Sequence, residues 1–122
     1  MSKVLVIDDF EFIRAFCVDV FSEAGLEVIE ADSGEQGIEK FIKHRPDCVV
    51  LDLLLPGIDG IEVLRQIREI NSEVPVVLMT GDDPIWAGRS FESFGANAFI
   101  NKANGADKLL EIVEELIIES ES

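Results

Sequence analysis

Carboxylates, a hydroxyl and an ammonium stand at the ends of short apolar runs in this chain. Asp8-Asp9 follows Val4-Leu5-Val6-Ile7, Asp52 sits in the run from Val49 to Leu55, Thr80 closes a run that ends at Met79, and Asn101-Lys102 follows Ala98-Phe99-Ile100. The 49–55 run, ended by Pro56-Gly57, reads as a strand buried on both faces. A charge costs several kcal/mol to bury without partners, so Asp52 belongs at the strand's carboxyl end, facing a crevice. That edge is where open α/β sheets bind ligands, and parallel strands would bring all these groups to it. Crowded carboxylates repel one another and need a cation. Oxygen donors with water suit Mg²⁺ rather than zinc or copper. His44, the only histidine, follows the second predicted helix and reads as a surface residue, neither metal ligand nor phosphodonor. Carboxylate, Mg²⁺, ammonium and hydroxyl together suit phosphoryl transfer to Asp52, which would act as nucleophile and form an aspartyl phosphate. Lys102 and the metal would neutralise the phosphoryl oxygens while Thr80 donates a hydrogen bond.

The elements that must position these groups follow from periodicity. Strands are predicted over 3–7, 26–31, 47–53, 74–79 and 98–100. A first helix over 10–24 carries Ile13, Cys17, Val20, Phe21 and Ala24 at helical spacing, and Gly25 closes it. Ser33 with Gln36 forms a capping box for a second helix with Ile38, Phe41 and Ile42 on one face, ending before Pro46. A third follows Pro56-Gly57-Ile58-Asp59-Gly60 and runs to about Ile70, with Asp59 read as a solvated turn residue. Asp83 and Pro84 start a fourth, which carries Trp86 and stops at Gly95-Ala96. The last carries the stripe Leu109, Ile112, Val113, Leu116 and Ile117, and 119–122 reads as a frayed tail. Strictly alternating strands and helices predict an α/β, doubly wound, five-stranded parallel sheet with five helices on both faces.

The chain's 122 residues make one domain, and 48% apolar composition allows a full core. A formal charge of −15, from 25 acidic and 10 basic residues, argues against nucleic acid and anionic membranes and suits cation binding. No signal peptide or membrane span is apparent. Cys17 and Cys48 read as buried free thiols, and the whole as cytoplasmic.

Taken together, Asp8-Asp9, Asp52 with Pro56-Gly57 and Gly60, Thr80-Gly81, Gly95-Ala96, Phe99 and Lys102 resemble the receiver domain of two-component response regulators, of the single-domain chemotaxis or relay type. The match spans essentially the whole chain. It implies the flavodoxin-like strand order 2-1-3-4-5 and a single receiver domain over 1–122 without an output domain. Asp8, Asp9, Asp52 and the backbone carbonyl of Leu54 would hold Mg²⁺, and Asp52 would be the phosphoacceptor. Thr80 and Lys102 would bind the phosphoryl group, and Thr80 with the switch aromatic Phe99 would reshape the surface of the fourth helix, fifth strand and fifth helix. Leu54 and Asp82 would tune the phosphate's lifetime. Partners would be a sensor histidine kinase or histidine phosphotransfer protein and a downstream target, with dimerisation through the same face as a further use of it. The family usually has proline after the lysine, following a cis peptide; this chain has Ala103.

Other functions fit less well. A haloacid-dehalogenase-type phosphatase, the enzyme alternative, wants a second Asp two residues after the nucleophile, where Leu54 stands. A degenerate receiver that binds partners without phosphate is opposed by the full acidic, hydroxyl and ammonium set, with Ala103 the one point in its favour. A nucleotide or flavin domain would want a glycine- or hydroxyl-rich loop in place of Asp8-Asp9. The chain therefore reads as a signalling phosphoacceptor that assists only its own phosphorylation and dephosphorylation.

Overall fold

Alternate residues of the inner strands feed opposite cores. In this computed structural model, which describes residues 1–81 and 91–121, the elements run β1 (Lys3–Ile7), α1 (Glu11–Glu23), β2 (Glu27–Ala31), α2 (Gly34–His44), β3 (Cys48–Asp52), α3 (Gly60–Ile70), β4 (Val76–Thr80), β5 (Ala98–Asn101) and α4 (Gly105–Glu121). The strands are all parallel, in the order β2-β1-β3-β4-β5. This is the flavodoxin-like order that the resemblance implies.

Leu5, Ile7, Val49, Leu51, Val76 and Leu78 pack with Phe41 of α2 and Val63, Leu64 and Ile67 of α3. Val4, Val6, Cys48, Val50, Val77 and Met79 face the other way, against Cys17 and Phe21 of α1 and Leu109, Val113 and Ile117 of α4. Strands covered on both faces need apolar residues at both parities, which is why their sequences are unbroken apolar runs. Both cysteines are buried free thiols; burial pushes Cys17 up to about 11 and Cys48 up to about 12.

Helix ends follow local chemistry. Ser33 Oγ accepts from Gln36 N at 3.2 Å, and Gln36 Oε1 accepts from Asp32 N at 2.8 Å, one residue before the cap. Asp59 is not simply a solvated turn residue: it caps α3, its Oδ1 accepting from Glu62 N at 3.0 Å. The 119–122 tail is corrected too, since α4 continues to Glu121. Ala24, placed on the apolar stripe of α1, is exposed at its C-cap, and Ile42 is 57% exposed, because each lies beyond the arc that meets the sheet. Among the described residues there are four α-helices. The predicted fourth helix has its start, with Asp82, Asp83, Pro84 and Trp86, outside the described residues; residues 91–95 form a turn. No helix of the described residues is long and apolar enough to cross a membrane.

Candidate functional site

Strand parity carries past the sheet edge. Asp8, Asp52 and Lys102 continue the alternation of Val4 and Val6, of Cys48 and Val50, and of Ala98 and Ile100, so all three fall on the face covered by α1 and α4. Asp52 is the last residue of β3 and only 3% exposed. Its Oδ1 accepts from Leu54 N at 3.2 Å, and its Oδ2 accepts from Lys102 Nζ, also at 3.2 Å. Burial and the neighbouring Asp8 push its carboxyl up to about 6, against the opposing pull of the Lys102 ammonium and the Leu54 N–H.

Asp8 is fully buried. Its Oδ1 accepts from Phe10 N at 2.9 Å, while its Oδ2 lies 2.9 Å from Lys102 Nζ. That second contact is an ion pair without hydrogen-bond alignment, and among the described residues Oδ2 has no hydrogen-bond partner. A buried carboxylate oxygen lacking an aligned donor wants a cation. Asp9, exposed beside it, completes a group with Asp8 and Asp52 in which one oxygen of each lies within 4.8 Å of the others. Two buried carboxylates, one exposed carboxylate and an under-partnered oxygen fit a hard, oxygen-seeking ion such as Mg²⁺.

Burial opposes charge on Lys102, but Asp8 and Asp52 outweigh it and raise its pKa overall. The ammonium also lies 5.2 Å from the Phe10 ring centroid. Its backbone enters a short 3₁₀ turn over Lys102–Asn104, and the Lys102–Ala103 peptide is trans. Thr80, fully buried, ends β4 opposite Asn101. Phe99 is half-buried in β5 and stacks on Phe91, with centroids 6.4 Å apart and planes 24° apart. Leu54 is 61% exposed at the rim. Asp82 lies outside the described residues; the structure brings Asp8, Asp9, Asp52, Leu54 and Lys102 together, with Thr80 at the end of the strand beside Asp52, while Phe99 stacks on Phe91.

Gly60, which the resemblance already includes, packs more closely than its motif suggests, and two further contributors, Glu35 and a set of exposed phenylalanines, went unnoticed in the sequence. Gly60 opens α3 directly beneath the site: a Cβ there would fall 2.5 Å from the Asp52 carbonyl oxygen and 2.7 Å from Leu53 Cα. Glu35 Oε1 accepts from Ile58 N at 3.3 Å, tying α2 to the loop after Asp52. Phe10, Phe12 and Phe16 are 61%, 80% and 52% exposed. Their signal was present, since all three miss the apolar stripe of α1. With Leu54, Phe10 and Phe12 border a cavity of about 450 Å³ that reaches Asp52 and Lys102.

Residues 4–114 match the family model for the response regulator receiver domain. The chain is 31% identical over 116 residues to the chemotaxis protein CheY of Bacillus subtilis (strain 168), covering 94% of this chain and 97% of that protein. It is 30% identical over 116 residues to sporulation initiation phosphotransferase F of the same organism, covering 95% and 94%. Among solved structures, the receiver domain of the Francisella response regulator 1452 superposes with a TM-score of 0.91 at 27% identity, covering 98% of this chain and 99% of that one.

Proposed function

The chain belongs to the response regulator receiver family of two-component phosphoacceptors, and we propose that Asp52 is the residue that accepts the phosphoryl group. The observation that carries this reading is one ammonium, Lys102 Nζ, set 3.2 Å from Asp52 Oδ2 and 2.9 Å from Asp8 Oδ2. A carboxylate with a pKa of about 6 is largely ionised at neutral pH and can attack phosphorus. As the new oxygen–phosphorus bond forms, the bond from phosphorus to the donor's imidazole nitrogen breaks and its electron pair stays on nitrogen. Lys102 stands where charge on the phosphoryl oxygens would develop, and Thr80 closes the neighbouring strand. Asp8, Asp9, Asp52 and the Leu54 carbonyl would hold Mg²⁺, whose chemistry is to neutralise those oxygens.

The partner that supplies the phosphoryl group is a histidine kinase or phosphotransfer protein. The exposed Phe10, Phe12 and Leu54 around the cavity offer it an apolar rim, and the chain's −15 charge favours a basic border on that partner. Output passes through the surface around β5 and α4, with Thr80 and Phe99 as the coupled pair. Leu54, and Asp82 in sequence, set how readily water reaches the aspartyl phosphate. The chain catalyses only its own modification and its reversal.

The test is intact mass after incubation with Mg²⁺ and acetyl phosphate. One added phosphoryl group, lost in Asp52→Asn and without Mg²⁺, is expected. No gain while Mg²⁺ demonstrably binds would overturn the phosphoacceptor reading, and multiple-turnover phosphate release would point to a phosphatase.

A further inference from the structure

The turn that presents Lys102 is held by a side-chain hydrogen bond. Alanine at 103 keeps a backbone N–H that proline would lack. That N–H donates to Asn101 Oδ1 at 2.8 Å. The turn is closed at its far side by Gly105, at φ +83°, whose N–H donates to the Lys102 carbonyl. Asn101 itself is held in the sheet, extended at φ −84° and ψ 135° and paired with Thr80. The Asn101 amide thus links a fixed strand to the residue immediately after Lys102. That hydrogen bond, together with the one from Gly105 N–H to the Lys102 carbonyl, sets the direction in which the long Lys102 side chain leaves the backbone, and its Nζ must meet carboxylate oxygens from β1's end and β3 at once.

We infer that Asn101 is a positioning residue, whose side-chain amide fixes the Lys102–Asn104 turn and so aims the Lys102 ammonium at Asp52. This rests on the phosphoacceptor reading of Asp52. Asparagine suits the task because its short amide caps a turn as readily as aspartate or serine does, while adding no charge beside Lys102.

The experiment compares wild type, Asn101→Ala and Asn101→Ser, each alone and with Lys102→Ala. It measures the rate of phosphorylation by acetyl phosphate at saturating Mg²⁺, Mg²⁺ affinity, and amide hydrogen exchange at residue 103. In Asn101→Ala the Ala103 amide should exchange faster and phosphorylation should slow about tenfold, below the ~100-fold that a 1 Å misplacement can cost. Mg²⁺ affinity should hold, Asn101→Ser should recover most of the rate, and Asn101→Ala should have no further effect once Lys102 is gone. A merely structural cap would lower stability but not the rate of the folded protein. Unchanged phosphorylation in Asn101→Ala, or an equal loss in the Lys102→Ala background, overturns the inference. A wild type that takes up no phosphoryl group overturns the reading of Asp52 instead. The turn is then decided by exchange alone, and protection at Ala103 that survives Asn101→Ala removes the assignment.

Discussion

The two edges of the sheet handle polar groups in opposite ways. At the amino edge every prominent polar side chain serves backbone. Asp47 Oδ2 accepts from Lys3 N at 2.7 Å, and Asn71 Oδ1 accepts from Glu73 N and Val74 N at 2.8 and 3.0 Å. Asn97 Oδ1 accepts from Val76 N and Arg68, whose guanidinium also donates to the Gly95 and Asn71 carbonyls. These groups are exposed or partly so, and they bond chiefly to backbone. At the carboxyl edge Asp8 and Asp52 are buried, share one ammonium, and leave Asp8 Oδ2 without an aligned donor. Loops are tied down at one edge, whereas at the other, polar atoms are kept in deficit, and that deficit is what a cation and a phosphoryl group can fill.

The sharpest way to break the contrast is to remove the shared cation. Lys102→Met leaves buried carboxylates uncompensated and should cost about 3–5 kcal/mol in chelator. Urea unfolding should show that loss, with part of it recovered on adding Mg²⁺. Gly60→Ala comes next: its Cβ meets backbone of Asp52 and Leu53 that cannot yield, so a loss of up to about 3 kcal/mol is expected, read as a lower Tm.

Asp52→Asn should do the reverse and stabilise the metal-free protein at pH 7, by about 2 kcal/mol, because it removes a desolvated charge. The pH dependence has a definite sign. Asp52 titrates near 6 when folded against an ordinary 3.8, so between these values the folded state binds more protons. Metal-free stability from this group therefore falls as pH rises through that window, and the penalty is complete above about 6. Melting in chelator from pH 7 down to 5 should show wild type gaining on Asp52→Asn. Glu62, held down to about 2 chiefly by its hydrogen bond from Arg65, contributes stability that is lost only below about 4.5, outside the pH range of that comparison. The smallest effect belongs to the amino edge. Arg68→Ala should cost about 1 kcal/mol through its lost backbone bonds while Mg²⁺ affinity and phosphoryl uptake stay at wild-type values. A change in either would show that the edges are coupled.

Much of this was legible in the sequence. Unbroken apolar runs at 4–7, 49–51 and 76–79, separated by helical stripes, determine by themselves a parallel sheet covered on both sides, because periodicity is a local property of the chain. The same runs end in Asp8-Asp9, Asp52 and Thr80, and the shorter run at 98–100 leads to Lys102, so the chemistry gathered at one edge was determined there too. Tertiary structure alone decided how those groups share contacts. That Lys102 serves Asp8 and Asp52 at once, and that Asp8 Oδ2 lacks an aligned donor, depends on the register of β1 with β3 and, through β4, of β3 with β5, whose partners lie far apart in sequence. Ile42 became an exposed residue because a stripe says which residues are apolar, while the neighbouring elements decide how wide an arc is covered; Asp59, by contrast, caps α3 through a local bond from Glu62 N, a role its residue type at a helix start already allowed. The trans turn after Lys102 was undetermined until the Asn101 amide was seen to reach the Ala103 N–H, since a side-chain cap depends on angles that residue type does not specify.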